Sequence, residues 1–231
     1  MDFFAEGFRQ AVSLLLGGDP DTWFAIGLSL WTAVLAVGIG VAVGAPLGTA
    51  VGLLHPPGSR ALVFLFRVGM SVPTVVVGLV VYGLLCNRGP LARLELLYSP
   101  WAIVIGQTAL AIPILASLSH AAAAALDPRL LETVRTHGGG RRLALRLALS
   151  ENRPTLVTAT LSAFGRCITE LGIALLAGGS LRFRTRTLPA QIALETSVGE
   201  FGRALAPGLI LVLLACGAAL LSHAIAREDR R

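Results

Sequence analysis

WFAIGLSLWTAVLAVGIGVAVGAPLGTAVGLL, residues 23–54, runs for 32 positions without one charged side chain. A helix rising 1.5 Å per residue needs roughly 20 such residues to cross the hydrocarbon core of a bilayer, so this stretch alone places the chain in a membrane. Four further long apolar stretches follow, and five spans are predicted: Trp23 to Leu54, Leu62 to Leu85, Trp101 to Ala125, Leu156 to Ala177 and Leu205 to Ala224. The first is long enough to tilt, and Pro46 is a place where it can bend. His55, Pro56, Pro57 and Gly58 make a tight turn after it. Ahead of it, Phe3, Phe4, Phe8, Ala11 and Leu15 recur at helical spacing, the pattern of an amphipathic helix lying at the membrane surface. The acidic start at Asp2 and Glu6 does not suit a signal peptide.

Composition agrees with this reading. Of 231 residues 55% are hydrophobic and 14% charged, against about 25% charged in soluble domains. All 19 basic residues are arginine. Without lysine the chain can hold neither a P-loop nor a Schiff base. The net charge of +6 is scattered between apolar runs and forms no nucleic-acid surface. Cys86, Cys167 and Cys216 lie far apart, as do His55, His120, His137 and His223, so no metal site is expected. With the N-terminus outside, ten arginines fall on the cytoplasmic side (Arg60, six between Arg129 and Arg153, and three from Arg227) and seven outside. Arg67, near a span end, can snorkel to the inner interface.

The longest polar segment on the predicted inner side, Asp127 to Pro154, reads as helix, glycine break, helix. Asp127 suits an N-cap with Pro128 in the first turn, Gly138, Gly139 and Gly140 interrupt, and a second helix runs from Arg141 to about Glu151, bounded by Pro154. Arg166 and Glu170 stand one turn apart inside an apolar span. A charge there costs at least about 2.5–3.5 kcal/mol, so the two either pair structurally or border a wet pathway. Pro73 and Pro113 remove backbone hydrogen bonds within spans, and Ser71, Thr74, Gln107 and Thr108 beside them either line a route or bond across helices. Gly40, Gly44 and Gly48 repeat at four-residue spacing, the pattern of close helix packing.

Leu131-Glu-Thr-Val-Arg-Thr-His-Gly138 resembles the EAA loop of ABC-importer permeases, with Glu132 and Gly138 at the marked positions, Thr133 and Val134 in place of alanines, and Pro154 later than the usual proline. Phe164-Gly-Arg-Cys-Ile-Thr-Glu-Leu-Gly172, Ala177-Gly-Gly-Ser180 and Ile192-Ala-Leu-Glu-Thr-Ser-Val-Gly-Glu200 resemble the tungstate branch of the molybdate and tungstate permeases. Cys167 and Ser180 stand where alanine and asparagine are usual. Ser71-Val-Pro-Thr-Val-Val-Val-Gly78 and Ala111-Ile-Pro-Ile114 extend the likeness over most of the chain. The resemblance implies one all-helical permease domain of the type I, MetI-like fold over 1–231, non-catalytic and without a cofactor of its own. Its expected parts are an amphipathic segment at 1–20, spans 1–3 within 23–125, a cytoplasmic loop at 127–154, spans 4–5 within 155–224, and a tail from 225. The implied assembly is a homodimer with two ATPase subunits, which use the ATP, and a tungstate-binding protein outside. Glu132, Thr133, Val134, Arg135 and Gly138 would couple to the ATPase. Arg166, Thr169, Glu170, Ser71, Pro73, Thr74 and Pro113 would border the pathway or gate, and Arg182, Arg184 and Arg186 would form a docking rim. Molybdate, sulfate and phosphate remain open as cargo; a small secondary transporter or channel is the reading from another class.

Overall fold

A computed structural model describes residues 7–9, 11–13, 17–127 and 129–228, with the backbone alone for 130, 131, 135 and 226–228. Among these residues every regular element is helical: α1 Pro20–Leu54, α2 Ser59–Ser71, α3 Thr74–Leu85, α4 Pro100–Ala124, α5 Arg129–Thr136, α6 Arg141–Glu151, α7 Arg153–Ile168, α8 Gly172–Leu176, α9 Leu188–Ser197 and α10 Phe201–Glu228, with a 3-10 turn at Ala92–Leu94. Residues 7–9 and 11–13 are helical as the amphipathic pattern predicts, with Phe8 exposed and Ala11 buried. Phe3, Phe4 and Leu15 lie outside the described residues.

Of the five predicted spans, three are uninterrupted helices long and apolar enough to cross a membrane: α1, α4 and α10. Pro46 and Pro113 sit inside α1 and α4, which continue past them. The second predicted span is broken. Val72, at φ −62° and ψ 130°, takes the extended backbone that a following proline imposes, and Pro73 starts α3 as its N-cap. Taken as one span, α2 and α3 make a fourth. The fourth predicted span is also interrupted, between α7 and α8, and α7 begins at Arg153 with Pro154 in its first turn. Pro154 therefore opens a helix rather than closing the loop, because a first-turn residue needs no amide hydrogen.

By its internal contacts the chain divides into two units. One holds the chain through Ala36, Pro73–Gln107 and Gly165–Gly217. Here the Ser29 hydroxyl accepts the Leu188 amide at 2.8 Å, Gln191 Nε2 donates to Thr22 Oγ1 at 3.2 Å, and Trp31 meets Trp101 edge-on at 5.4 Å. Thr22 in turn donates to Asp19 at the start of α1.

The other unit holds Val37–Val72, Thr108–Phe164 and the chain from Ala218. Its core is a glycine seam. A Cβ on Gly40 would lie 2.9 Å from Ala111 Cβ, on Gly44 2.7 Å from the Ile112 carbonyl oxygen, on Gly48 against the Ala116 carbonyl, and on Gly52 2.6 Å from the His120 carbonyl oxygen. Position numbers rise together on both helices, so α1 and α4 run parallel. The chain between them must therefore travel back before α4 begins. Phe66 on α2 closes a cluster with Val51 and Ala116, and Gly69 leaves room for the Pro113 ring.

Replacing Gly48 with alanine should lower the stability of the detergent-purified chain by about 1–3 kcal/mol through overpacking. Gly38→Ala, where a Cβ meets nothing within 4 Å, should be neutral or slightly stabilising. Thermal melts of the two variants check this, and equal melting temperatures would remove the seam as the organising contact.

Candidate functional site

The polar loop folds as its sequence predicts. Asp127 Oδ1 accepts the Arg129 amide at 2.9 Å, capping α5. The helix ends in a Schellman closure: Gly138 lies at φ 73° and the Gly139 amide donates to the Val134 carbonyl at 2.8 Å. This φ is open to glycine and strained for a β-branched residue, although space beside Gly138 is free. Glu132 and Thr133 are exposed, whereas Val134 is buried at 5% and packs where a Cβ on Gly139 would fall. Val134 therefore holds the loop together while Glu132 and Thr133 present a polar face. The Arg135 side chain lies outside the described residues. His137 Nδ1 approaches the Thr133 carbonyl at 2.8 Å, tying the last turn.

The second candidate centre is the break between α7 and α8. Arg166 Nη1 and Glu170 Oε2 stand 3.3 Å apart, as their spacing predicts. Sequence reasoning missed the other half of the arrangement. Glu170 Oε1 accepts the Gly172 amide at 2.8 Å and the Ile173 amide at 3.3 Å, so the carboxylate caps α8. The signal was present as an acidic residue two positions before a glycine. The Glu170 side chain is 1% exposed and that of Arg166 45%. The Gln107 side-chain amide donates to the Cys167 carbonyl at 2.9 Å, so of the two roles open to Gln107 it takes the cross-helix bond. Thr169 donates to the Gly165 carbonyl at 2.9 Å. Gly172 lets α3 approach closely: a Cβ there would sit 3.0 Å from the Val75 backbone.

Of the remaining pathway candidates, Ser71 donates to its own helix at the Arg67 carbonyl, Pro73 and Thr74 start α3, and Pro113 is half-buried against Gly69. Ser71 and Pro73 are exposed.

The expected basic rim is largely spent on local structure. Arg182 Nη2 pairs with Asp21 at 2.7 Å, and hydrogen bonding and Coulomb attraction from Asp21 hold its guanidinium above the ordinary arginine pKa. Arg186 donates to the Ser180 carbonyl, while the Arg184 guanidinium has no hydrogen-bond or ion-pair partner among the described residues. Ser180, where asparagine is usual in the related motif, lies at φ 48°, a left-handed conformation that asparagine tolerates better than most residues.

A helical membrane chain with a capped polar loop and a broken charged span matches the model of the family described as "Binding-protein-dependent transport system inner membrane component" over residues 44–228. The chain belongs to this family and is an ABC importer permease with the MetI-like fold. It is 34% identical over 214 residues to the tungstate uptake system permease protein TupB of Peptoclostridium acidaminophilum, covering 93% of this chain and 94% of that one. It is 31% identical to TupB of Campylobacter jejuni, covering 98% and 95%, and 27% identical to the molybdenum permease ModB of Escherichia coli, covering 92% and 96%. In fold it resembles a chain of the MetNI methionine ABC transporter, with a TM-score of 0.67 at 19% identity over 93% of this chain and all of that one.

Glu170→Ala removes the acceptor of two amides, and each unsatisfied group costs about 1–3 kcal/mol. Glu170→Gln keeps an acceptor oxygen and should retain more stability. Equal losses in denaturation of the two purified variants would mean that the cap contributes nothing.

Proposed function

We propose that this chain is the permease subunit of a tungstate importer. The observation that carries the reading is identity above 30%, across nearly the whole length, to two tungstate permeases, against 27% to a molybdenum permease. Two copies would form the pathway, with the N-terminus outside and the C-terminus in the cytoplasm. An external binding protein would deliver the oxyanion, and two ATPase subunits would bind below. The exposed Glu132 and Thr133 on α5 would seat in the ATPase, so that its closure on ATP moves α5 and the spans joined to it. Arg166, half-exposed beside the buried Glu170, would border the route, together with Thr169, Ser71, Pro73, Thr74 and Pro113. A neutralised arginine attracts a dianion weakly, which suits passage rather than trapping. Arg184 would remain as the free cation of the docking rim with Arg182 and Arg186 beside it. The chain would hold no cofactor or metal of its own and meet no nucleic acid.

Molybdate is the second reading, supported by the 27% identity to ModB. Tungsten and molybdenum accumulation at trace supply, measured by elemental mass spectrometry in cells lacking and regaining this chain, decides between them. Loss of tungsten alone is expected; loss of both metals would make it a general oxyanion permease, and no change in either would overturn the oxyanion assignment. Gly138→Val should leave the chain in the membrane, where the strained turn costs about 1–3 kcal/mol, yet abolish ATP-dependent uptake. Normal uptake in that variant would refute the coupling role of the loop.

A further inference from the structure

A cavity of about 420 Å³ opens beside the turn that follows α1. His55, Ser59, Arg60, Arg67 and His120 line it, with Phe64 supplying apolar wall, and none of its lining residues is acidic. Ser59, Arg60, Phe64 and Arg67 share one face of α2, where Arg60 and Arg67 stand about 10 Å apart along the axis. Both nevertheless reach the same cavity. His120, on α4, is close enough to feel both Arg67 and His55 electrostatically. Neither arginine has an ion-pair partner among the described residues. The carboxylate of Asp127 lines a separate cavity of about 230 Å³ that shares His55, and its Oδ1 is engaged by the Arg129 amide.

Four nitrogen-bearing side chains and a hydroxyl around one cavity, with no acid among them, are a costly arrangement for an empty site in a chain that is only 14% charged. Arg182 and Arg166 each lie against a carboxylate; this cluster does not. Guanidinium groups match the oxygens of a tetrahedral anion bidentately, and a half-apolar wall accepts the glycerol end of a lipid as readily as it borders a free ion. We propose that the His55–Arg60–Arg67–His120 cavity is a binding site for a tetrahedral oxyanion, either the phosphate of an anionic phospholipid or a free oxyanion. The site is distinct from the broken span at Glu170, and the inference does not rest on the identity of the cargo.

The test uses the purified full chain in two arms. In the first, nanodiscs of phosphatidylcholine with phosphatidylglycerol are dissolved in detergent, and the phosphatidylglycerol retained is counted by native mass spectrometry. In the second, delipidated chain is equilibrated with sodium tungstate, and bound tungsten is measured after gel filtration. Arg60→Gln/Arg67→Gln should reduce retention at least about tenfold, the loss of 1.4 kcal/mol or more expected for charge-assisted bonds, in one arm. Arg93→Gln, on the exposed 3-10 turn, should leave both arms unchanged. A loss confined to the first arm identifies the lipid phosphate, and a loss confined to the second identifies a free oxyanion. Should the double variant fail to melt cooperatively, His120→Gln keeps both arginines and should still reduce retention about threefold in the same arm. Equal retention by the wild type and the folded variants in both arms would overturn the site.

Discussion

Inside a hydrocarbon layer every backbone amide and carbonyl must find its partner within the chain, and the interruptions of this structure follow from how that demand is met. Where the sequence is uniformly apolar, α1, α4 and α10 meet it by remaining helical, even across Pro46, Pro113 and Pro207. Where a helix breaks, side chains and turns take over. The Pro73 carbonyl accepts the amides of Val76 and Val77 as α3 begins. At the second break Glu170 accepts two amides with one oxygen and faces Arg166 with the other, and Gln107 donates to the carbonyl of Cys167. One carboxylate thus starts a helix and faces a cation one turn back in the helix before it. A buried structural role and a place beside a pathway are compatible at this pair, because its acid is sealed and its base is half open.

Lipid offers no hydrophobic reward for bringing two apolar helices together, so contact distance has to supply the attraction. Gly40, Gly44, Gly48 and Gly52 let the α1 backbone lie against α4 at separations that a single methyl group would violate. The same device recurs at Gly172 against Val75 and at Gly106 against Ile173. Glycines are expensive in helices, at about 1 kcal/mol each relative to alanine. Their placement at close approaches shows where dispersion contacts offset that cost.

Much of this was legible in the sequence because its causes are local. The apolar lengths give α1, α4 and α10; Asp127, Gly138 and the basic run give α5 and α6; a four-residue period gives the glycine seam as far as Gly48. The losses have a common origin. The breaks at Val72 and at Thr169 fall inside runs whose apolar residues on either side are numerous enough to be read as single spans, so length and composition join what the pre-proline restriction and the carboxylate before Gly172 divide. Partner identity was hidden as well. No periodicity joins Arg182 to Asp21 across 161 positions, yet that contact takes one arginine out of the expected rim. Val134, read as part of the coupling surface, turns inward because the Schellman closure folds Gly139 back on it.

The arginines show why net charge alone says little about an anion's route. A guanidinium beside a carboxylate presents nearly zero charge at a distance, so Arg166 and Arg182 contribute shape and hydrogen-bond donors more than potential. Arg186 is drawn to a carbonyl, which leaves its charge intact but fixes its direction. Arg60 and Arg67 keep both charge and open donors, and they stand with His55 and His120 at one end of the α1–α4 seam. At the turn after α1 two guanidinium groups and two imidazoles thus share one cavity with no acid in its lining, whereas the arginine at the broken span faces Glu170. How each arginine is partnered therefore decides what it can offer: one that faces a carboxylate is committed to holding the chain together, whereas two that share a cavity without an acid keep their donors for oxygens from outside.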